Sequence, residues 1–354
     1  MNEDCLKLTT YFSERQRNDG ALLADALLDL YGRHEIQSSI LLRGTQGFGP
    51  RHHLRTDRLL TLSEDLPVVS IAVDTRKRVE QLLPEVLQIE RRGLLTLERA
   101  RMLIGDTAPQ QLPEETKLTL YIGRQERVYR MPAFASVCAL LHRRDIVSAT
   151  VLLGVDGTAR GQRQRARFVG RNAEVPMMII AVGSGANIGR VLPELSGLLR
   201  NPLLTLERVR VCKRDGELVA VPHELPGTDE HGLAMWQKLM IVTSEAAQRR
   251  GRPVHLELVR RLRQSKASGA TSLRGIWGFH GSHAPHGDKL LSLRRHAPVL
   301  TIVIDTPEQT ARLFPIIDEL TAERGLVTSE MIPALTALTD RDGHSGLRLA
   351  RHAF

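Results

Sequence analysis

The spacing of apolar residues over positions 6–102 alternates between the period of a strand and the period of a helix. This pattern predicts strands over 6–13, 39–44, 68–73 and 95–102, and helices over 21–34 and between Thr75 and Gly93. Asp74-Thr75 is a suitable N-cap for the second helix, and Gly93 is suited to end it. The predicted order is βαββαβ, the order of a ferredoxin-like domain.

The same pattern returns twice further along the chain. Leu94-Leu95-Thr96-Leu97-Glu98-Arg99 recurs at 203–208 and, in a weaker form, at 326–330. Repetition at a nearly fixed spacing indicates tandem copies of one domain. We therefore predict copy 1 over 1–105, copy 2 (the most diverged) over 114–215, copy 3 over 234–338, and a polar, loosely ordered tail over 339–354.

The third predicted strand of each copy is almost uninterruptedly apolar, at 68–73, 177–182 and 299–304. Such strands are normally buried on both faces, whereas the helices of a βαββαβ domain cover only one face. We expect the sibling copies to cover the other face. The predicted fold class is therefore α+β, with three tandem ferredoxin-like domains arranged as an intramolecular pseudo-trimer that behaves as a monomer.

Composition adds constraints on location and partner. The start of the chain has no apolar signal segment, and no uncharged stretch reaches the ~20 residues of a membrane span. Three isolated cysteines favour a reducing, cytoplasmic environment. Residues 106–220 hold 17 basic and 11 acidic residues, so this segment contributes +6 to the net charge of +9 of the whole chain. This excess indicates either a solvated surface or an anionic partner.

Glycine-rich segments follow the second strand of each copy, most clearly at 43–49 and 274–280. These glycines either shape an unusual strand exit or let a ligand approach backbone N–H groups. We expect lysines in the predicted first strands to line clefts between copies. The candidate ligand-binding residues are Lys7, Arg43, Gly44, Gly47, Phe48, Gly49, Lys117, Gly154, Gly157, Lys238, Arg274, Gly275, Gly278 and Phe279.

Basic loops come after the glycine-rich segments. In a threefold arrangement these loops would share one rim, and their combined charge would favour an acidic or phosphate-bearing partner. The candidate effector-loop residues are Arg51, His52, His53, Arg55, Arg58, Arg160, Arg163, Arg165, Arg167, His283 and His286. His280, His283 and His286 form a weak candidate metal site, because no cysteine or carboxylate completes the set.

Copy 1 resembles the PII-like domain of unknown function number 190, a family of the PII superfamily, through residues 42–49 and 62–67. The resemblance implies a trimer of ferredoxin-like units, long effector loops, and sites for ATP, ADP or AMP in the clefts between units. It also implies a protein partner, such as a membrane transporter. Two departures stand out: Thr158 replaces Phe48 in copy 2, and the short 93–95 segment replaces the usual phosphate loop.

The sequence thus predicts a sensor rather than an enzyme. It would bind a small anionic ligand, such as an adenine nucleotide, between copies and regulate a partner through its loops. A nucleic-acid-binding protein is one alternative, although it lacks the expected aromatic platforms for single strands. An enzyme that uses the clefts is the other, although no recognisable catalytic set supports it.

Overall fold

The computed structural model describes residues 2–50, 52–57, 65–89, 93–105, 107–108, 110–163, 175–281, 285–287, 297–338 and 348–352. The same order of elements occurs three times along these residues. In each copy we number the four main strands first to fourth. The short strand that follows the second strand is called the crossing strand.

The two helices have 11 and 14 residues in every copy, whereas the fourth strand has 12, 6 and 7 residues in copies 1, 2 and 3. Copy 1 has main strands Asn2–Ser13, Ser38–Arg43, Pro67–Thr75 and Gly93–Ile104, helices Leu23–Arg33 and Arg76–Ile89, and crossing strand Gln46–Phe48. Copy 2 has main strands Glu115–Gly123, Ser148–Leu153, Pro176–Ser184 and Leu203–Arg208, helices Ala133–Arg143 and Gly185–Leu198, and crossing strand Asp156–Ala159. Copy 3 has main strands Trp236–Ser244, Ala270–Arg274, Pro298–Asp305 and Leu326–Ile332, helices Val254–Gln264 and Pro307–Leu320, and crossing strand Trp277–His280.

Short strands complete each copy. Hairpins before the first helices are formed by Arg17–Asn18 with Ala21–Leu22, Arg127–Val128 with Met131–Pro132, and Gln248–Arg249 with Arg252–Pro253. The crossing strands pair with Arg55–Thr56, Gln162–Arg163 and His286–Gly287. Strands Arg210–Arg214, Glu217–Leu218 and Ala334–Leu338 follow the fourth strands of copies 2 and 3.

The main strands of each copy form an antiparallel sheet in the order second, third, first, fourth. The third strand is central and buried along most of its length, as its continuous apolar sequence predicts. The three repeats and the combination of helices with antiparallel sheets confirm the predicted tandem copies and α+β class.

Three local expectations needed correction. The helix predicted from position 21 begins at Leu23, because Ala21 and Leu22 belong to the hairpin. Gln46–Phe48, which lies outside the predicted strands, is a strand that pairs with copy 3. Part of the tail is packed against the rest of the molecule: Ala350 is fully buried, and its N–H donates to the carbonyl of Pro333.

Strand pairing joins the copies in a closed cycle. Each crossing strand adds to the second strand of a neighbour: that of copy 1 to copy 3, that of copy 2 to copy 1, and that of copy 3 to copy 2. The fourth strands connect the copies in the reverse order. The end of the copy 1 fourth strand pairs with the fourth strand of copy 2. Arg210–Arg214, which follows the copy 2 fourth strand, pairs with that of copy 3, and Ala334–Leu338, which follows the copy 3 fourth strand, pairs with that of copy 1. Every copy is therefore hydrogen-bonded to both others.

Burial follows the same arrangement. Three apolar clusters lie mainly between the sheet and helices of one copy each. A fourth cluster takes residues from the sheets of all three copies, including Ile71, Met178 and Ile302. The face of each sheet that its own helices leave open is therefore covered by the other copies. Among the helices of the described residues, none is long and apolar enough to cross a membrane.

Candidate functional sites between the copies

Six charged side chains form a closed ring where the three copies meet; we call it the axial ring. Each copy contributes a lysine of its first strand and a glutamate directly opposite on its fourth strand, namely Lys7 and Glu98, Lys117 and Glu207, and Lys238 and Glu330. Within the copies, the Nζ–Oε2 distances are 2.9, 2.9 and 3.0 Å. Each lysine also bonds a glutamate of another copy, as in the 2.5 Å contact of Lys7 with Glu207.

The axial ring is sealed from water and balanced in charge. Its six side chains are only 2–8% exposed. Three ammonium groups alternate with three carboxylates, so each charge has two partners of opposite sign. A buried charge is tolerated only when it is paired and hydrogen-bonded, and here the pairing needs residues from all three copies.

The ring charges shift one another's pKa values. Burial by itself would raise the pKa of Glu98, but Lys238 and Lys7 hold it far below its ordinary value. The pKa of Glu207 is likewise lowered, since its attraction to lysines outweighs burial. The pKa of Lys7 is raised by Glu207 and Glu98 against the effect of burial. Lys117 is the exception: burial lowers its pKa more than its carboxylate neighbours raise it.

The three ring carboxylates also converge as metal ligands would, with one oxygen of each within 4.8 Å of the others. Three lysine ammonium groups already neutralise them, so a metal ion would bring uncompensated positive charge into a buried site. The chemistry of this cluster therefore fits an ion-pair ring better than a metal site.

The candidate lysines lie in the axial ring and not at open clefts. Lys7, Lys117 and Lys238 were expected to line open clefts. Their ammonium groups instead lie in the axial ring, within bonding distance of buried glutamates.

The glycine-rich segments lie where the crossing strands meet neighbouring copies. A Cβ atom on Gly47, Gly157 or Gly278 would come within 2.2–2.6 Å of a backbone carbonyl oxygen of another copy. Gly44, Gly154 and Gly275 each approach the proline that starts the third strand of the same copy. Gly49 alone has open space at its Cβ position. Close backbone approach thus accounts for all of these glycines except Gly49.

The aromatic residue of this motif anchors one copy in the next. Phe48 of copy 1 lies in the apolar cluster of copy 3, and Phe279 of copy 3 lies in the cluster of copy 2. Thr158 replaces the aromatic residue in copy 2, and its hydroxyl donates to the carbonyl of Ile36 of copy 1. All three side chains are buried at junctions between copies.

The two motif arginines pair inside their own copies. Arg43 Nε lies 2.9 Å from a carboxylate oxygen of Glu14, and Arg274 Nη2 lies 2.9 Å from Glu245. These two pairs occupy equivalent positions in copies 1 and 3.

The basic loops are only partly described. Arg51, Arg58, Arg165, Arg167 and His283 lie outside the described residues, and only the backbone of His286 is described.

Among the described loop residues, His52 stacks on Phe48 with ring centroids 5.8 Å apart, and His53 is exposed. Arg55 lies 3.5 Å from Asp65. His280, the one candidate metal ligand with a described side chain, is buried, with Nδ1 3.9 Å from Asp215 Oδ1.

Arg163 is a structural residue rather than a free loop cation. Its guanidinium lies 2.8 Å from both Asp156 and Asp25 and also pairs with Asp29. The two last aspartates belong to the first helix of copy 1, so this arginine ties copy 2 to copy 1. Arg160 makes one long contact, 3.4 Å from Nη2 to the carbonyl of Arg200.

Sequence reasoning overlooked the ring glutamates. A lysine and a glutamate recur inside buried strands of every copy, and this repetition of opposite charges was the available signal. Sequence reasoning also overlooked how the net charge of the hairpin and first helix differs among the copies. The equivalent segments 17–35, 127–145 and 248–266 carry net charges of −2, +3 and +6.

Comparison with known proteins places the chain in a family. The sequence profile of DUF190, described as "Uncharacterized ACR, COG1993", matches residues 5–102, 115–211 and 236–334. The chain belongs to this family and contains three copies of its domain, as the resemblance predicted. It is similar to the UPF0166 protein MJ1524 of Methanocaldococcus jannaschii, with 26% identity over 101 residues. That match covers 28% of this chain and 93% of the relative, so the relative corresponds in length to a single copy.

Proposed function

We propose that the chain is a PII-like binding protein in which three ferredoxin-like domains close into an intramolecular pseudo-trimer. It would recognise an anionic partner through exposed segments that differ among the copies. One contrast carries this proposal. The candidate lysines and most of the candidate glycines are packed between copies, whereas the hairpin and first helix differ in net charge from −2 to +6.

The pseudo-trimer is supported by three features of the fold. The strand order second, third, first, fourth is that of a ferredoxin-like sheet. The crossing strands connect the copies in a cycle, and the axial ring repeats the same contact three times. Closed cyclic contacts of this kind are how equivalent subunits satisfy one another in symmetric trimers. In this chain one polypeptide would provide all three units.

The anionic chemistry of the partner has two possible sources, a small phosphate-bearing ligand such as an adenine nucleotide and an acidic macromolecule. The first follows from the resemblance to PII proteins. The second is favoured by the exposed basic segments of copies 2 and 3. Both would bind by charge-assisted hydrogen bonds from arginine.

A thermal-shift screen of the full chain tests the proposal. One arm contains ATP, ADP, AMP and cyclic AMP at millimolar concentration, with adenosine as the uncharged control. The other contains poly-glutamate and a DNA duplex, with poly-glutamine as the control. A ligand at a hundred times its Kd should add about 2.7 kcal/mol to the free energy of unfolding. A shift with an anionic ligand but not its control supports the proposal. No shift in either arm contradicts it.

A further inference from the structure

The first-helix segment of copy 3 presents an unusual concentration of arginine. Residues 248–266 contain seven basic residues and one acidic residue. We define the copy 3 basic face by its six arginines, three in the hairpin and three on the helix: Arg249, Arg250, Arg252, Arg260, Arg261 and Arg263. We propose that this face binds an acidic segment of a protein partner; the proposal rests on the function proposed above and names its surface.

The helix turns its charged side outward. Its apolar residues, including Val254, Leu258 and Leu262, are buried in the core of copy 3. The arc between them carries Arg260, Arg261 and Arg263, which are partly exposed. Core packing thus fixes the helix and leaves these arginines partly open to solvent.

Two glutamates hold four of these arginines in place. Glu257 pairs with Arg260 and Arg252, and Glu319 of the second helix pairs with Arg261 and Arg249. The pKa of Glu257 is lowered chiefly by its hydrogen bond to Arg260, and that of Glu319 by Arg261. Both shifts are expected where positive charge exceeds negative charge.

Arg250 and Arg263 add to this excess. Among the described residues, neither lies within ion-pair distance of a carboxylate. Arg250 is at the exposed tip of the hairpin, and Arg263 is in the last turn of the helix. Arg263 lies nine residues beyond Val254, the first residue of the helix, so about 13.5 Å of helix separates them. An extended acidic segment of five or six residues would cover that stretch of helix.

The contacts already present indicate which anion the face suits. Arg260 donates two hydrogen bonds to the carboxylate of Glu257, from Nε to Oε2 at 2.8 Å and from Nη2 to Oε1. Such forked contacts are the geometry by which arginine recognises carboxylates. In copy 1, Asp25 and Asp29 of the first helix pair with Arg163 of copy 2, so carboxylate–guanidinium pairing also occurs on this helix at a junction between copies.

A nucleic acid is less favoured as the occupant. Residues 248–266 contain no Phe, Tyr or Trp, so bases of a single strand would find no stacking platform. Duplex DNA would contact the arginines through its phosphates alone. It therefore belongs in the test as a competing outcome.

The experiment is a fluorescence-anisotropy titration of labelled deca-glutamate with the full chain. The test variant is Arg250→Ser with Arg263→Ser. The control variant is Lys77→Ser with Arg324→Ser, two exposed basic residues outside the hairpin and first-helix segments, which removes the same charge. We expect the test variant to bind about tenfold more weakly, and the control to stay within about twofold of the parent. Affinity should fall with added salt. Thermal unfolding of both variants checks that they remain folded.

Two results would overturn the basic-face proposal. Equal weakening in both variants would mean that the peptide responds to net charge rather than to this surface. Binding of a 20-base-pair duplex without binding of deca-glutamate would assign the face to nucleic acid. In either case an anion still binds, so the proposed function survives. Loss of binding to every anion in the thermal-shift screen would remove both.

Discussion

Replacing Lys117 by methionine should strongly destabilise the protein. Methionine keeps most of the side-chain volume but removes the charge that Glu207 and Glu330 share. The axial ring would then hold three carboxylates and two ammonium groups, a net charge of −1 in a site whose side chains are at most 8% exposed. Removing one partner from a buried ion pair costs about 3–5 kcal/mol. That is a large part of the 5–15 kcal/mol by which domains are typically stable.

Urea unfolding followed by circular dichroism measures this loss. The double variant Lys117→Met with Glu207→Gln restores a neutral ring of two cations and two anions. We expect it to be less destabilised than the sum of the single variants, by about 0.5–3 kcal/mol. Arg312→Met is the control, because its pair with Glu308 is exposed and should contribute no more than about 1 kcal/mol. A loss below 1 kcal/mol for Lys117→Met, or simple additivity in the double variant, would refute the ring as a cooperative unit.

Three further predictions concern stability. The hairpin tip Tyr129-Arg130 has both residues in the left-handed region, at φ of 47° and 68°. Changing them to Asn-Gly should raise stability by about 1–2 kcal/mol in thermal unfolding, because glycine and asparagine tolerate this conformation; an unchanged melting temperature would contradict the strain. Arg163→Ser should lower stability by about 1–2 kcal/mol and Arg160→Ser by less than about 0.5 kcal/mol, since among the described residues only Arg163 has carboxylate partners; equal effects would count against the inter-copy tie. Finally, Glu98 and Glu207 have lowered pKa values in the folded state, so their contribution is present above their ordinary value of 4.5 and is lost as the pH falls below it. The melting temperature should therefore drop between pH 5 and pH 3, and more steeply in the parent than in the neutral-ring double variant.

The sequence was informative wherever the signal is local or repeated. Apolar spacing gave the main strands and helices to within a few residues, and the repeat gave the three copies. The continuous apolar third strands pointed to sheets covered on both faces, and residues such as Ile71 and Ile302 do meet in the shared central cluster.

The contacts between copies were beyond local reasoning. Gln46–Phe48 pairs with a strand more than 200 residues away, and nothing in its own composition specifies that partner. Lys7 likewise bonds Glu207 across a separation of 200 residues. Without these partners, the glycines and lysines predict a ligand site. The contacts that they make between copies follow only from the geometry of the junctions.

Sedimentation equilibrium of the intact chain tests most directly the claim that three copies complete one assembly within one polypeptide. Because every crossing strand and every ring lysine has its partner inside the same chain, we predict a single species of 39.5 kDa at all concentrations. A mass that rises with concentration toward about three times that value would contradict the account. It would mean that the copies complete one another between chains instead of within one.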